Sequence, residues 1–415
     1  MRPRAASRCL RTIVFASVAL AASRAPAETL YRWAQYGPAG LEARAVTDQP
    51  ACPPISVDGQ AGGMTVRATP ADGFPVTVCA LPVPAAKPVT IGGVPLVIPA
   101  AEPQRILVIG DTGCRLKGSY IQACNDPVAW PFRPIAEVAA HKQPDLVIHV
   151  GDYHYRETPC PAGNAGCAGS PFGDTWPVWQ ADFFSPAETL LRVAPFVFVR
   201  GNHEECGRGG KGWSRALSPD PFDAAAGCNA PGKPFVVRLP GLTLAVVDVA
   251  TAREERVDET QAREFHAQYL ALAGRLGAPT WLLQHRPIWS PGGVFAGKLV
   301  GDNKTLEVAA RDAIPPDVTV MLSGHHHLFQ VLSYKTGQPA QIVAGHGGDY
   351  LNAISALEPA GWTFGEAVVE RGVNLPGTFG FAIMEKQADG WRVTDYDKLG
   401  TALRSCMLQG RAAAC

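Results

Sequence analysis

Five short clusters along the chain carry side chains of the types that bind metals. Together they hold carboxylates, an amide, imidazoles and a phenol. The donors are Asp111 in GDTG, Asp152 and Tyr155 in GDYHY, Asn202 in GNHE, His285 in LLQH, and His325 and His327 in GHHH. A set that mixes oxygen and nitrogen donors suits Fe, Mn or Zn better than Ca or Mg, which prefer oxygen alone. The clusters therefore predict a transition-metal site.

The number of donors favours two metal ions over one. A single tetrahedral zinc site needs three or four ligands, whereas seven donors are available here. Two cations about 3.5–4 Å apart, joined by a bridging carboxylate, recur in enzymes that displace a group at phosphorus. One ion polarises the phosphoryl oxygen, and the pair acidifies a bound water. The chemistry expected from these donors is hydrolysis of a phosphoester.

Each cluster taken alone has a simpler interpretation. Gly-Asp and Gly-Asn-His occur in ordinary turns, and Tyr155 on its own could be a core aromatic residue. His149 lies inside an apolar run and is interpreted as a core residue, whereas His141 and His266 lie on predicted helices and are interpreted as surface or packing residues. The functional interpretation depends on conjunction, because all five clusters occur in order and each one ends a predicted strand.

The elements that must position these clusters alternate between strands and helices. Apolar runs of strand length are RILVIGD, DLVIHVGD, PFVFVRGNHE, LTLAVVDV, TWLLQHRP, VTVMLSGHHH and QIVAGHGG. Helical stretches are PFRPIAEVAAHKQ, DETQAREFHAQYLALAGRL and NKTLEVAARDA, and GFAIMEK with WRVTDYD predicts a closing hairpin. Apolar strands alternating with helices indicate an α/β fold, with buried sheets covered by helices. Loops at the carboxyl ends of such strands meet in one crevice, which would bring the clusters together.

Residues 28–102 show a different sequence pattern. Short β-like runs are broken by Gly and Pro, and no helical period is visible. This pattern predicts a small N-terminal all-β domain that resembles a sandwich. The segment IPAAEPQ is interpreted as its linker to a catalytic domain over 103–415.

Residues 1–27 are predicted to be a secretory signal peptide. A basic start, the apolar stretch TIVFASVALAA and the small residues APA fit that pattern, with cleavage before Glu28. A membrane anchor is the alternative, but the apolar stretch is short for a span and no second one follows. The segment holds five of the 37 basic residues and none of the 37 acidic ones, which leaves a net charge of −5. We therefore expect a secreted or periplasmic protein with no membrane anchor and no nucleic-acid partner.

Cysteine usage agrees with export. Beyond Cys9, ten cysteines fall as close neighbours along the chain, and none has the C-x2-C spacing of zinc sites. We predict up to five local disulfides in an oxidising compartment. The sequential pairs are Cys52/Cys79, Cys114/Cys124, Cys160/Cys167, Cys206/Cys228 and Cys406/Cys415. Three of these pairs lie beside the clusters and are expected to pin active-site loops.

In order and spacing, the clusters resemble the motifs of the calcineurin-like metallophosphoesterase superfamily and, in detail, those of the purple acid phosphatases. The superfamily usually has Asp-x-His in its first motif. This chain has Gly113 at the place of that histidine, which is the purple acid phosphatase pattern D-x-G. The other matching stretches are Gly151–Tyr155 for GDxxY, Gly201–Glu204 for GNH(D/E), Leu282–His285 for VxxH with Leu in place of Val, and Gly324–His327 for GHxH. The resemblance covers about residues 105–348.

The resemblance implies both a fold and a site. The fold is a four-layer α-β-β-α metallophosphoesterase sandwich, to which an N-terminal β domain is often added. By position in the motifs, the first metal, ferric iron in that family, would be held by Asp111, Tyr155 and His327. The second, a divalent Fe, Zn or Mn, would be held by Asn202, His285 and His325. Asp152 would bridge the two ions.

The chemistry of the donors supports this assignment independently. The first motif lacks an imidazole because position 113 is glycine, and a phenolate at Tyr155 supplies a harder, anionic donor. A hard oxygen anion favours a trivalent ion. The stronger Lewis acid should lower the pKa of the bound water, so activity could extend to acidic pH.

Other side chains near the motifs are candidates for contacts with the substrate. The resemblance implies that His203 contacts the phosphate and assists the leaving group as a general acid, although its carboxylate partner is not identifiable from sequence. His154 sits beside two ligands and His346 follows another strand end, so either could touch the substrate. His326 is expected to point away. Four tryptophans could form the rim of the site, although a core position is favoured: Trp176, Trp179, Trp213 and Trp289.

The function expected from the sequence is hydrolysis of small phosphomonoesters by attack of a metal-bound hydroxide. Two alternatives stay open. A phosphodiesterase would use the same metals, because specificity lies in loops such as 160–179 and 206–228. A non-catalytic metal-dependent binding protein would keep the scaffold, although all seven ligands and His203 are present. The oligomeric state is unknown at this point.

Overall fold

The computed structural model describes residues 29–98, 102–277, 279–295, 298–352 and 358–415. The predicted signal peptide, residues 1–27, lies outside the described residues. The strands of the N-terminal region are β1 (Thr29–Gly37), β2 (Gly40–Thr47), β3 (Pro54–Val57), β4 (Gln60–Gly63), β5 (Thr65–Ala68), β6 (Thr77–Pro82), β7 (Val89–Ile91) and β8 (Val94–Leu96).

The remaining strands and the helices include all the runs predicted from the sequence, together with several short elements that were not predicted. The strands are β9 (Arg105–Ile109), β10 (Leu116–Lys117), β11 (Tyr120–Ile121), β12 (Leu146–His149), β13 (Phe196–Phe198), β14 (Phe235–Leu239), β15 (Leu242–Val246), β16 (Thr280–Leu283), β17 (Gly293–Phe295), β18 (Lys298–Val300), β19 (Val318–Ser323), β20 (Phe329–Tyr334), β21 (Ala340–Ala344), β22 (Thr363–Phe364), β23 (Ala367–Leu375), β24 (Gly380–Gln387), β25 (Gly390–Asp397), β26 (Ala402–Gln409) and β27 (Ala412–Ala414). The α-helices are α1 (Phe132–Ala140), α2 (Trp176–Trp179), α3 (Glu188–Val193), α4 (Gly210–Gly212), α5 (Glu259–Leu270) and α6 (Lys304–Ala310). Short π-helices lie at Gln180–Phe184 and Trp213–Leu217, and a 3-10 helix lies at Asn202–Glu204. The seven predicted strands, the three predicted helices and the closing hairpin are thus confirmed.

Two large sheets organise these strands. The first, of 11 strands, has the order β27-β26-β25-β24-β9-β12-β13-β1-β2-β6-β5, and the second, of eight strands, has the order β14-β15-β16-β19-β21-β20-β23-β22. Their central strands are parallel: β9, β12 and β13 in the first sheet, and β15, β16, β19 and β21 in the second. Parallel strands point their carboxyl ends to one edge, so each sheet presents its loops there.

The two sheets pack face to face, and helices cover their outer faces. Val108 and Ile148 from the first sheet share one buried cluster with Leu283 and Leu322 from the second. On the other side of the first sheet, Leu107 packs with α1 and α3, and α5 and α6 cover the second sheet. Both faces of each central strand are therefore apolar. This confirms the predicted four-layer α-β-β-α sandwich.

The N-terminal strands extend the first sheet. Strand β1 pairs in parallel with β13, with Gln35 opposite Phe196, and β2, β6 and β5 follow it outward. The other four strands form a small sheet in the order β4-β3-β7-β8, which packs on the small side chains Ala34, Ala43 and Ala45. The region is all-β and locally sandwich-like, as expected, but hydrogen bonds join it to the rest of the chain. A domain boundary near residue 102 stays a prediction.

The ten cysteines of the described chain form five disulfides. The pairs are the sequential ones that the spacing predicts: Cys52–Cys79, Cys114–Cys124, Cys160–Cys167, Cys206–Cys228 and Cys406–Cys415. Within the described ranges, no helix combines the length and the apolar character that a membrane span requires.

Candidate metal centre

The predicted ligands lie just past the carboxyl ends of strands from both sheets. Asp111 follows β9 and Asp152 follows β12 in the first sheet, whereas His285 follows β16 and His325 follows β19 in the second. Because the sheets face each other, the loops after these strands meet at one shared edge. Residues that are far apart in sequence are thereby brought into contact.

Three of the predicted ligands adopt a backbone conformation that side chains rarely take. Asp111, Asp152 and His325 have φ angles of 57°, 60° and 70°. The left-handed region is unfavourable for residues with a Cβ, and such residues cluster at functional sites. A neighbouring glycine makes room for one of them, because a Cβ on Gly201 would overlap the Asp152 carboxylate. The tight turns bring the carboxylates together at the cost of local strain.

Tyr155 lies at the centre of the predicted first metal site. Its hydroxyl oxygen is 3.1 Å from Asp111 Oδ1, 2.9 Å from Asp152 Oδ2 and 3.2 Å from His327 Nε2. The ring is fully buried, and the Arg115 guanidinium lies 4.9 Å from its centroid. Burial, together with Asp111 and Asp152, raises the pKa of Tyr155 well above its ordinary value. Without a cation the phenol stays protonated, so a phenolate here needs a metal beside it.

The predicted second metal site is next to the first. Ligand atoms of Asp152, His285 and His325 all lie within 4.8 Å of one another. Asn202 Oδ1 is 3.0 Å from His285 Nε2, which in turn is 3.2 Å from Asp152 Oδ2. The same Asp152 oxygen thus faces both Tyr155 and His285. This is the placement that a bridging carboxylate requires.

Backbone carbonyls orient two of the histidine rings. His285 Nδ1 donates to Val150 O at 2.8 Å, and His327 Nδ1 donates to the carbonyl of Tyr350. Each ring then turns Nε2 toward the carboxylates, as a metal-binding imidazole must. Burial acts to lower the pKa of His285, but Asp152 and Asp111 outweigh it and raise the pKa to about 9. The carboxylates therefore favour positive charge at this position, and the donor set fits metal ions.

A buried glutamate that the sequence pattern gave no role holds the Asp152 turn. Glu204, the last residue of GNHE, accepts the backbone N–H groups of Asp152 and Gly201 at 3.1 Å with Oε2. Its Oε1 accepts those of Tyr153 at 2.8 Å and His154 at 3.0 Å. One side chain satisfies four N–H groups, and it fixes the turn that carries the bridging carboxylate.

The carboxylate partner of His203 is Glu157, which the sequence did not reveal. His203 Nδ1 lies 2.8 Å from Glu157 Oε1, and His203 Nε2 lies 3.9 Å from Asp152 Oδ2. The imidazole centroid is 3.7 Å from the Tyr155 ring, and Arg208 pairs with the same glutamate. Burial lowers the pKa of His203 to about 3, although Asp152 and Glu157 act in the opposite direction. A carboxylate two residues after GDYHY was the only signal for this pair.

The two additional histidine candidates lie elsewhere. The His154 ring is buried, with Nε2 3.0 Å from Gly173 O. The His154 backbone contacts the site, since its carbonyl oxygen is 3.1 Å from His203 Nδ1 and its N–H donates to Glu204. His346 Nε2 is 2.9 Å from Asp395 Oδ1 between the two sheets, and its ring is buried too. Both imidazoles thus have partners outside the predicted ligand set, and contact of either ring with a substrate stays a prediction.

Several other expectations hold. His326 points away from the predicted ligands, toward Ser290 and Gly301, and His149 is a core residue stacked on Tyr153 at 4.0 Å. The four tryptophans are buried, as the core interpretation favoured: Trp176, Trp179, Trp213 and Trp289.

Facing sheets with carboxylates and imidazoles gathered at one edge are the architecture of a metal-dependent phosphoesterase. The sequence model of the calcineurin-like phosphoesterase family matches residues 104–329, more than half of the chain, and the protein belongs to this family. It is a metal-dependent phosphoester hydrolase, and its family implies metal ions and small phosphoester substrates. No curated protein matches the chain significantly in sequence.

Solved structures that share the fold include two that align over nearly the whole of this chain. The purple acid phosphatase PPD1 from yellow lupin (Lupinus luteus) seeds is 12% identical, with 93% of this chain and 75% of that chain covered and a TM-score of 0.57. A structure of PhoD is 11% identical, with 94% of this chain and 92% of that chain covered and a TM-score of 0.54. At these identities the likeness concerns the fold, and it spans nearly the whole chain.

Proposed function

We propose that the protein is an exported phosphomonoesterase of the purple acid phosphatase type, with two metal ions. The observation that carries this proposal is the position of the Tyr155 hydroxyl, within 3.1 Å of Asp111 Oδ1 and 2.9 Å of Asp152 Oδ2. A tyrosine between two carboxylates offers a hard, anionic donor where the commoner first motif offers an imidazole.

The two halves of the donor set differ in a way that suits two different ions. Ferric iron would be held by Asp111, Tyr155 and His327, which include two anionic oxygens. A divalent Fe, Zn or Mn would be held by Asn202, His285 and His325, which are neutral donors, with Asp152 as the bridge. When bound, such a pair supplies Lewis acidity to a phosphoryl oxygen and lowers the pKa of a water.

His203 would supply the proton for the leaving group. Glu157 holds its Nδ1 at 2.8 Å and so directs Nε2 toward the bridging carboxylate, 3.9 Å from Asp152 Oδ2. A phosphate bound there brings negative charge next to the ring, which raises the pKa of His203 and favours the protonated imidazole. Nε2 would then donate its proton to the leaving-group oxygen as the bond to phosphorus breaks.

Export completes the proposal. The signal-like residues 1–27 and five disulfides support a secreted or periplasmic location, because disulfides persist in oxidising compartments. Sequencing the N-terminus of the exported protein tests it, and an intact Met1 would contradict cleavage before Glu28.

The decisive experiment compares p-nitrophenyl phosphate with bis(p-nitrophenyl) phosphate on the metal-loaded protein, with metal content and visible absorption measured on the same sample. We expect a higher kcat/KM for the monoester, two metals per chain and the colour of a tyrosinate–iron(III) pair. Asp152→Ala, which removes the bridge, is the inactive control. A strong preference for the diester would reject the monoesterase, an active colourless iron-free enzyme would reject ferric iron, and no turnover of any phosphoester would favour a binding protein.

A further inference from the structure

The three predicted histidine ligands do not all use the same ring nitrogen for their contacts with the rest of the protein, and His325 is the exception. His285 and His327 each direct Nδ1 at a backbone carbonyl. In His325 it is Nε2 that is occupied, 2.6 Å from Glu254 Oε1. Glu254 Oε1 is buried and accepts no hydrogen bond of good geometry. A proton on His325 Nε2 would give this oxygen a donor, whereas two facing lone pairs would repel each other. The neutral ring then keeps its lone pair on Nδ1.

The loop after β15 holds Glu254 in place for this contact. Arg286, the residue after His285, lies 2.6 Å from Glu254 Oε1 through Nη1 and donates to Ala250 O at 3.0 Å through Nε. The backbone carbonyl of Glu254 accepts the Lys304 N–H at 3.1 Å. Arg286 Nη1 also lies 3.1 Å from His325 Nε2, so both nitrogens approach the same carboxylate oxygen.

We propose that Glu254 is the positioning residue of the second metal site, where it fixes the Nε2–H tautomer of His325 and presents Nδ1 to the metal. This inference rests on the proposed function, which assigns His325 to the second ion. A carboxylate behind a metal-bound imidazole orients the ring and raises its basicity, and its loss typically costs 10–100-fold in metal affinity. The first site has a carboxylate of its own, since Asp349 lies 3.5 Å from His327 Nδ1. Removing Glu254 should therefore weaken one site and spare the other.

The test is a zinc titration of the metal-free full-length protein, in competition with a chromophoric chelator. Wild type should bind two equivalents. Glu254→Gln should keep one affinity within about twofold of wild type and weaken the other by about 10–100-fold. Glu255→Gln is the matched control, because it removes the same charge from the next residue, which is exposed. Unchanged affinities in Glu254→Gln, or equal losses at both sites, would overturn the proposal.

A second measurement is made on the wild-type protein, so it does not depend on whether Glu254→Gln folds. The 15N NMR spectrum of the metal-free wild type reports the tautomer of each histidine, and His325→Gln identifies the signal. We expect Nε2–H for His325. The opposite tautomer, with Nε2 accepting from Arg286, would overturn the inference while leaving the phosphoesterase proposal intact. A wild type that binds one zinc would overturn the two-metal site itself, and this inference with it.

Discussion

A Cβ atom on Gly113 would lie 2.8 Å from Cδ2 of the Tyr155 ring and 2.5 Å from the carbonyl oxygen of Tyr153. No real Cβ tolerates such distances, so any side chain at position 113 would displace the tyrosine or its loop. The glycine of D-x-G and the tyrosine of GDxxY are therefore one structural unit. A chain with the commoner Asp-x-His in its first motif could not keep Tyr155 where it stands here.

The first prediction follows from this contact. Gly113→Ala should push the Tyr155 ring away and weaken the first metal site on the order of tenfold, since displacing a ligand by a fraction of an ångström disturbs both coordination and geometry. Iron content and visible absorption after metal loading are the measurements. Gly63→Ala is the control, because a Cβ there meets open space. Normal iron content in Gly113→Ala would show that the loop yields without affecting the ligand.

The second prediction concerns the Tyr155 hydroxyl. Tyr155→Phe removes the oxygen that lies between Asp111 and Asp152 but keeps the buried ring, so the fold should remain while the colour is lost and the first site weakens. Because the pKa of Tyr155 is raised well above 10, binding of iron must expel its proton. Calorimetry in buffers of different ionisation enthalpy should count one more proton released by wild type than by the variant.

The matched control for that substitution is Tyr120→Phe, which alters a tyrosine that is 65% exposed. Its colour and proton release should equal those of wild type. A coloured, iron-loaded Tyr155→Phe protein would remove Tyr155 from the metal site and leave only the coarser phosphoesterase assignment.

The sequence predicts the strands and their terminal clusters well, because local composition determines both. Apolar runs such as LVIH before Gly151 are buried on both faces, and the polar residue after each run falls at the carboxyl edge. Convergence of Asp111, Asp152 and His325 then follows from the topology. These are the parts of the site that depend on short stretches of chain.

The supporting residues could not be predicted from the sequence. Glu157 and Glu254 belong to no motif, and each meets its histidine only because irregular loops fold back over the site. His154 and His346 show the converse, since adjacency to a ligand in sequence, or a place at a strand end, says little about where a ring points. The extension of the first sheet by β1 also depends on a single long-range pairing, Gln35 with Phe196.

The third prediction tests the pair formed by His203 and Glu157. Glu157→Gln keeps an acceptor for Nδ1 but removes the charge that stabilises the protonated imidazole, so kcat should fall by roughly tenfold, a part of the 10²–10⁴-fold effect of a general acid. The loss should be larger for phenyl phosphate than for p-nitrophenyl phosphate, because the poorer leaving group needs the proton more.

Two comparisons make this test specific. Glu188→Gln removes a carboxylate from a surface pair with Arg192 and should leave both substrates unaffected. An equal loss on both substrates in Glu157→Gln would mean that the glutamate only supports the loop, whereas the expected split between leaving groups requires a role in proton donation.

The fourth prediction concerns Glu204 and the stability of the Asp152 turn. In wild type, the backbone N–H groups of Asp152 and Gly201 donate to Glu204 Oε2. Glu204→Gln keeps one acceptor oxygen but replaces the other with an amide N–H₂, which cannot accept these two hydrogen bonds. Two buried donors lose their acceptor, at about 1–3 kcal/mol each. We therefore expect the free energy of unfolding to fall by roughly 2–6 kcal/mol in urea titrations of the metal-free protein.

Metal binding should be lost together with this stability, because the bridging carboxylate depends on the turn. Glu205→Gln alters the next residue, whose side chain lines an open cleft instead of lying under the turn, and should cost less than about 1 kcal/mol. If Glu204→Gln were as stable as Glu205→Gln and still bound two metals, the four N–H contacts would not be what holds Asp152. The combined loss of stability and of metal affinity would instead identify Glu204 as the residue that maintains the strained conformation of the bridge, which has a φ of 60°.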